Sequence, residues 1–500
     1  MTLPVTTEDI TLTWWADLDK AAGAVATLND VLALQKLQEI TGVKVEFQHP
    51  PVGSASEQFN LLVASNSLPD LVTYGWAGVQ GGPGAFIKDE VIIALNEPIG
   101  KWAPNLTQFL EENEEVRKQQ EMDDGTYYVF PAVYGDRDLA CSQGPVIRLD
   151  MYEQMGFTLE DAPSTIDGWT ELLRQVKDFD FGGNKVSPLF IAGKGQLDGA
   201  PMFLGAWGIR QEFYKDGDTI KFGGIQPEYK EFLTLFKQWY DEGILDPESL
   251  TGTAKIQDDK MAEDKIFMIN GSMGNSITRY TAMMRPGNEK FRLYPLPYPT
   301  LVEGGPLPEI QEANAFTGGG VAITTGCKYV KEAVKMLDYD YSEDGHVLSN
   351  WGVEGVTFEK GADGLNKYTD LILNNPEGLS REQAMAKYTY WQSGAAVVKY
   401  KDVLNQRDSL PEQIEGRKNW MLSPNNSRIP PLTPTQEESK EYADIMNEVR
   451  TYTTEMFNQF VSGKASLDTY DKYVETVKGM GIDRATAINQ AQYDRFDARP

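Results

Sequence analysis

The run Leu61-Leu62-Val63-Ala64-Ser65-Asn66-Ser67-Leu68-Pro69-Asp70-Leu71-Val72-Thr73-Tyr74-Gly75-Trp76 decides the fold class of this chain. Its first half continues a helical apolar run that begins at Ala55. The stretch from Asn66 to Pro69 ends that run, because Pro69 lacks an N–H and restricts Leu68 to extended geometry. Leu71 to Tyr74 then predicts a short buried strand. Gly75 lets the chain turn freely, and Trp76 follows beyond the strand's carboxyl end, where ligands sit in open parallel sheets.

Two earlier elements give that position its meaning. Residues 11–15 are β-rich and apolar, and residues 27–41 carry Leu28, Val31, Leu34, Leu37 and Ile40 at helical spacing up to Gly42. Residues 43–47 alternate apolar and polar. The order strand, helix, strand, helix, strand predicts a parallel sheet with right-handed crossovers. If the first strand lies between the second and third, a crevice opens where the strand order reverses. Trp14, Trp15 and Trp76 approach it; alternation sends Trp14 and Trp15 to opposite faces, so one of the two is expected at the site. Asp17 and Asp19 follow the first strand, and Tyr74 ends the third.

With 500 residues the chain exceeds the size of one core, and two interleaved lobes are expected. Acidic residues number 74 against 46 basic ones, a formal charge of −28, which repels nucleic acid and anionic membranes. No apolar run is long enough to span a bilayer, and the first ten residues contain no signal core. Cys141 and Cys327 are too widely spaced to give a zinc pattern or a disulfide framework, and the spacing leaves open whether they pair. His49 and His346 are the only histidines, which leaves no Ser-His-Asp triad and no multi-histidine metal site.

Residues 132–138, with Tyr134, Asp136 and Arg137, form an exposed-looking segment and the first crossing between lobes. The planar fork of Arg137 suits two hydroxyls or a carboxylate. In the second lobe, residues 265–269 predict a buried strand whose polar turn presents Asn270 and Asn275, and Trp207 sits between glycines on a loop. Trp169 and Trp239 fall on apolar helix stripes and are assigned to the core. Three glycines at 318–320 precede residues 321–323 and mark the return crossing. Trp351 and Glu354 share a later loop, and the last third is helical. The expected division is residues 1–133 and 317–378 for the first lobe, and 134–316 and 379–500 for the second.

These signatures, in this order, resemble the extracellular solute-binding proteins of ABC importers, in the large lipoprotein branch linked to oligosaccharide uptake. The resemblance rests on Ile40-Thr41-Gly42-Val43-Lys44-Val45, Leu68-Pro69-Asp70-Leu71-Val72, Gly125-Thr126-Tyr127-Tyr128 with Pro131, and Arg148-Leu149-Asp150-Met151-Tyr152. Pro163-Ser164-Thr165 with Trp169, Phe460-Val461-Ser462-Gly463-Lys464 and Tyr493-Asp494-Arg495 extend it to the end of the chain. It implies an α/β, two-lobed periplasmic-binding-protein-like fold with hinge-crossing strands and a helical C-terminal region. It also implies closure over a ligand, docking on membrane permease subunits, and a lipid-anchored extracellular protein whose leader is absent here. Some relatives carry a calcium loop after the Trp169 helix. Here Gly182 stands where an oxygen ligand is wanted and Leu189 where the closing Glu falls, so neither a metal nor a cofactor is expected.

Sugars offer apolar faces edged by hydroxyls and need aromatic platforms with planar polar groups; ten Trp and 23 Tyr supply the platforms. The resulting expectation is a monomeric, non-enzymatic oligosaccharide-binding protein. The alternatives are a glycan-active enzyme using paired carboxylates and a peptide-binding receptor.

Overall fold

The computed structural model describes residues 2–141, 143–193, 197, 200–310, 312–391, 396–408 and 410–499; the side chains at 19, 20, 201 and 275 lie outside the description. The strands are β1 (Thr11–Trp15), β2 (Lys44–Gln48), β3 (Leu71–Tyr74), β4 (Phe130–Tyr134), β5 (Gln143–Arg148), β6 (Ser187–Phe190), β7 (Phe213–Asp216) and β8 (Thr219–Phe222). They continue with β9 (Ile266–Ser272), β10 (Leu293–Pro295), β11 (Phe316–Ile323), β12 (Phe358–Lys360), β13 (Asn366–Tyr368) and β14 (Val398–Lys399).

The larger sheet has the order β14-β4-β11-β3-β1-β2. Strand β1 is parallel to both β2 and β3 and lies between them, the arrangement under which the strand order reverses at β1. In β2 the apolar Val45 and Phe47 are buried while Lys44, Glu46 and Gln48 are exposed, the alternation of a strand covered on one face. Before β2, the helix Leu32–Thr41 buries Ala33, Leu34 and Leu37 and ends at Gly42 in the left-handed region, φ 74°. The smaller sheet has the order β10-β5-β9-β6.

Each sheet has its own core. Around the smaller sheet, Trp169, Phe203, Phe232, Phe236 and Trp239 pack with Phe457 and Phe460 of the C-terminal helices. Around the larger one, Trp14, Leu34, Phe47, Leu106, Val321 and Leu337 fill one face; Trp15, Phe59, Val72 and Trp76 fill another cluster. Cys141 and Cys327 are free, and each is buried in a different one of these cores. Beside the second sheet runs the long helix Gln436–Val461, started by a capping box in which Thr435 accepts from the Glu438 N–H at 3.2 Å and the Glu438 carboxylate accepts from the Thr435 N–H at 2.9 Å.

The chain passes between the sheets after β4, returns before β11, and leaves again after β14 for the helix Pro411–Met421, which packs on β10 and whose Trp420 Nε1 donates to the Leu296 carbonyl at 3.0 Å. One assignment differs from the sequence expectation. Residues 381–391 and 396–404, expected with the second lobe, associate with the first sheet: β14 adds a parallel strand to β4, and Ala386 and Tyr390 join the first core. A two-residue strand carries too short a pattern to be legible in sequence.

The glycine run lies within β11 rather than ahead of a strand. The register of β11 on β4 shifts between Phe316 and Gly320, and Gly318 has φ 82°. At Gly320 an added Cβ would lie 2.2 Å from the Phe130 carbonyl oxygen, so only glycine lets β4 and β11 approach there. Gly320→Val is expected to lower stability by about 1–3 kcal/mol in urea unfolding, the usual penalty of overpacking; an unchanged midpoint would contradict this close approach.

Candidate ligand cleft

The rim of the first lobe is pinned by a buffered set of hydrogen bonds at the carboxyl ends of β1 and β2. His49 Nε2 accepts from the Leu28 N–H at 3.1 Å and lies 3.1 Å from Thr27 Oγ1, and Nδ1 lies 2.8 Å from the Ala16 carbonyl. With Nε2 accepting, Nδ1 carries a proton that faces the Ala16 carbonyl, and the ring joins three stretches of chain in one geometry. Asp70 does the same at the start of β3, where one carboxylate oxygen accepts from Thr13 N and Thr13 Oγ1, both at 2.8 Å.

The aromatic residues expected at this rim are mostly core. Trp76 is fully buried: its ring meets Phe59 and Phe86 edge-on at 5.4 and 5.7 Å, and its Nε1 donates to the Val72 carbonyl at 3.2 Å. The turn at Gly75 folds the indole back onto the face of its own sheet. Trp14 and Trp15 do alternate between faces, but both faces are covered. Trp14 is buried with its Nε1 on Thr73 Oγ1 at 2.8 Å, and Trp15 is buried against Phe59 and Tyr74. Tyr74 is half-buried and stacks on Phe59 at 3.9 Å. Trp351 is buried beside Tyr368 at 4.7 Å, while Glu354 is exposed to solvent on the following turn. Trp207 is half-buried on the second lobe, where its Nε1 donates to Glu231 at 3.0 Å. Asp17 is half-buried after β1, and the side chain of Asp19 lies outside the described residues.

On the second lobe Asn270 is half-buried within β9, opposite Pro145 of β5; the Asn275 side chain lies outside the described residues. Past β9 the chain makes a π-helical turn, Met273–Thr278, a geometry that recurs at functional sites. This turn is held by Gln413, whose Nε2 donates to the Met273 carbonyl at 2.7 Å and to Thr278 Oγ1 at 2.9 Å. A Cβ on Gly274 would lie 2.8 Å from a Glu382 carboxylate oxygen, so this turn comes close to the helix Arg381–Tyr388 that packs with the first sheet.

A cavity of about 990 Å³ opens at the crossings. Its walls are Phe109, Val116 and Gln119 from the first lobe, the crossing residues 133–137 and 312–315, Lys215, Pro424, Asn425, Asn426 and Arg428 from the second, and Tyr493 and Phe496 from the last helix. Of the residues expected at a site, Tyr134, Asp136 and Arg137 are brought together here. Arg137 is not an open fork. Its Nε lies 3.0 Å from both Glu312 oxygens, and its Nη2 donates to Glu312 at 2.7 Å and to the Ser423 carbonyl at 2.6 Å. Asp136 accepts from the Lys401 N–H at 2.8 Å, tying the first crossing to the third. Tyr134 is half-buried with Lys399 Nζ 5.5 Å from its ring, and burial raises its phenol pKa. Glu312, Lys215 and Arg428 were missed, because each becomes informative only through partners far away in sequence.

Beside the crossings, Asp123 of the first lobe receives Arg495 Nε at 2.5 Å, Arg499 Nη2 at 2.6 Å and Thr433 Oγ1 at 3.0 Å; Arg495 also pairs with Glu438 at 2.7 Å. Burial pushes the Asp123 carboxyl up, but the hydrogen bonds from Arg499 and Arg495 outweigh it and hold the pKa below its ordinary value.

The segment where relatives of the resembled family hold calcium forms a tight turn instead, with the Gly183 N–H on Asp180 Oδ1 at 2.7 Å. Leu189, at the closing position, is a buried residue of β6. This donor set does not fit calcium.

Two outcomes follow from these contacts. Trp76→Ala is expected to cost about 3–5 kcal/mol of stability, as for other buried aromatic truncations, while leaving ligand affinity of the folded protein unchanged; a selective loss of binding would return Trp76 to the site. Asp123→Asn is expected to cost about 2–3 kcal/mol at neutral pH. The depressed carboxyl contributes stability above its unfolded pKa of about 3.9 and loses it as pH falls through the lower folded value, so the melting-temperature gap to the parent should close in acid.

No protein-family model matches the chain. It is similar to the fructooligosaccharide ABC transporter substrate-binding protein FusA of Streptococcus pneumoniae, with 23% identity over 498 residues, 94% of this chain and 88% of FusA. Lipoprotein LipO of Bacillus subtilis is 24% identical over 480 residues, 90% of this chain and 86% of LipO. The crystal structure of alginate-binding protein AlgQ2 without calcium ion covers 98% of this chain and 99% of its own, with a TM-score of 0.76 and 22% identity. The chain therefore has the two-lobed α/β fold of the solute-binding proteins, and its sequence is similar over nearly its whole length to ABC-transporter substrate-binding proteins.

Proposed function

We propose that this chain is the extracellular binding subunit of an ABC importer, and that it takes an oligosaccharide between its lobes and carries it to the permease by lobe closure. The observation that supports this most is the cavity at the crossings: about 990 Å³, at the upper end of ordinary ligand pockets, and walled by residues of both lobes. A ligand that touches both lobes at once stabilises the closed arrangement over the open one, and only such differential contact shifts the equilibrium. In this reading the first lobe comprises residues 2–133 and 317–404, and the second comprises 143–310 and 411–499.

The chemistry of the walls suits a sugar. Phe109, Tyr134, Tyr493 and Phe496 offer ring faces, and Asn314, Asn425 and Asn426 offer amides that both donate and accept. Asp17 and Tyr74 at the rim, with Asn270 across the cleft, are candidate contacts from the strand ends. Among the described residues no group of three or more His, Cys, Asp or Glu side chains is placed to hold a metal ion. The reading gives the protein a binding role, returns the ligand uncut, and places a monomer on the cell surface through a lipid anchor. The similarity to a protein named as a lipoprotein supports that placement.

A thermal-shift screen against glycans of different linkage tests it. A suitable oligosaccharide should raise the melting temperature, reduce the radius of gyration in small-angle scattering, and be recovered intact by mass spectrometry. Stabilisation by peptides alone, or shorter glycans accumulating during incubation, would overturn the reading in favour of a peptide carrier or a glycosidase.

A further inference from the structure

The chain's formal charge is −28, yet one wall of the interlobe cavity is basic. That wall is built on the segment 424–428, which is fixed from behind. Arg210 Nε donates to Ser427 Oγ at 2.9 Å and its Nη2 to Asn425 Oδ1 at 2.5 Å, while the Ser427 N–H is held by Glu309 at 3.0 Å and the Ser427 carbonyl accepts from the Lys215 N–H at 2.8 Å. Lys215 and Arg428 are thereby neighbours, and both line the cavity.

Neither cation has a carboxylate of its own among the described residues: Glu312 attracts Arg428 but is already bound by Arg137. Arg428 makes no hydrogen bond or ion pair among the described residues, and its Nε is shielded from solvent without a partner. Lys215 has no carboxylate partner among the described residues; its Nζ lies 3.3 Å from the Tyr493 hydroxyl and 5.2 Å from the centre of that ring. The acidic residues that line the same cavity are engaged or peripheral. Glu312 is taken by Arg137, Asp136 accepts from Lys401, Glu115 accepts from Gln119 at 2.9 Å, Glu114 faces Lys118 at 3.8 Å, and Asp497 is exposed. A partly buried guanidinium whose attracting carboxylate, Glu312, is already hydrogen-bonded to Arg137 gains from a second anion, and its planar fork matches a carboxylate with two parallel hydrogen bonds.

We propose that the cavity is a subsite for an acidic sugar unit, whose carboxylate is gripped by Arg428 with Lys215 beside it and whose ring lies against Tyr493. This inference rests on the oligosaccharide reading above and narrows the ligand to glycans that carry a uronate. Arg428 is the group that selects charge; the aromatic faces select for a sugar.

Calorimetric titration of the purified chain with short oligouronides of several linkages, each paired with its uncharged methyl ester, tests this. A sulfated oligosaccharide and a neutral oligofructoside complete the panel. The acid form of at least one oligouronide should bind about tenfold or more tightly than its ester, the gain of one charge-assisted pair. Arg428→Gln should abolish that ratio, Arg428→Lys should keep part of it, and Lys215→Gln should reduce it. Because the Arg428 side chain makes no hydrogen bond among the described residues, its unliganded variants should melt as the parent does, which separates lost recognition from lost folding. Equal affinity for acid and ester, or neutral binding indifferent to Arg428, would overturn the acidic subsite and leave the oligosaccharide reading standing. Preference for the sulfated glycan with the same Arg428 dependence would overturn the carboxylate assignment. Failure of every glycan to bind would instead overturn the oligosaccharide reading itself.

Discussion

The ion pair between Arg137 and Glu312 holds the centre of this protein together. Glu312 is 3% exposed, and a carboxylate that deep requires both a counter-charge and hydrogen bonds. Arg137 supplies them from the first crossing, Glu312 lies on the second, and the Ser423 carbonyl on the same guanidinium belongs to the segment that follows the third. One planar group thus registers three passages of the chain, and the cavity walls take their spacing from it.

Around that centre the two lobes are joined by contacts of different kinds. The Asp123, Arg495 and Arg499 cluster fastens the last helix to the first lobe with charge, and the pairing of Gly274 with the Glu382 region brings the π-helical turn against the opposite lobe with almost no side-chain thickness. Charged fasteners are directional and can reform after separation, whereas a buried apolar contact would resist opening. An interface of this composition is compatible with a cleft that opens and shuts.

The aromatic residues show why the first lobe was easier to read than its site. Trp76, Trp14 and Trp15 stand where a parallel sheet presents ligand-binding groups, and β1 lies between β2 and β3 beside them. Their rings are nevertheless buried, because helices cover both faces of the sheet and Phe59 and Phe86 stand ready to pack against indole. Position along the chain places a side chain at an edge; which way it turns depends on what waits on either face. Arg137 carries the same lesson in polar form: the fork suited to a ligand meets a nearer acid, Glu312, that is 175 residues away in sequence.

What the sequence determined by itself is local and periodic. The alternation of β2, the amphipathic helix before it, and the breaks at Gly42 and Pro69 all follow from backbone geometry and the burial of one face, which neighbouring residues specify. The order of these elements then restricts the topology through the handedness of crossovers. Only the tertiary structure decided that β14 joins the first sheet, that Trp14, Trp15, Trp76 and Trp351 are core, and that Lys215 and Arg428 share a wall without a carboxylate of their own. Those outcomes depend on distant contacts and on the balance of charge within a cavity, and such balances exist only once separate stretches of chain have been brought together.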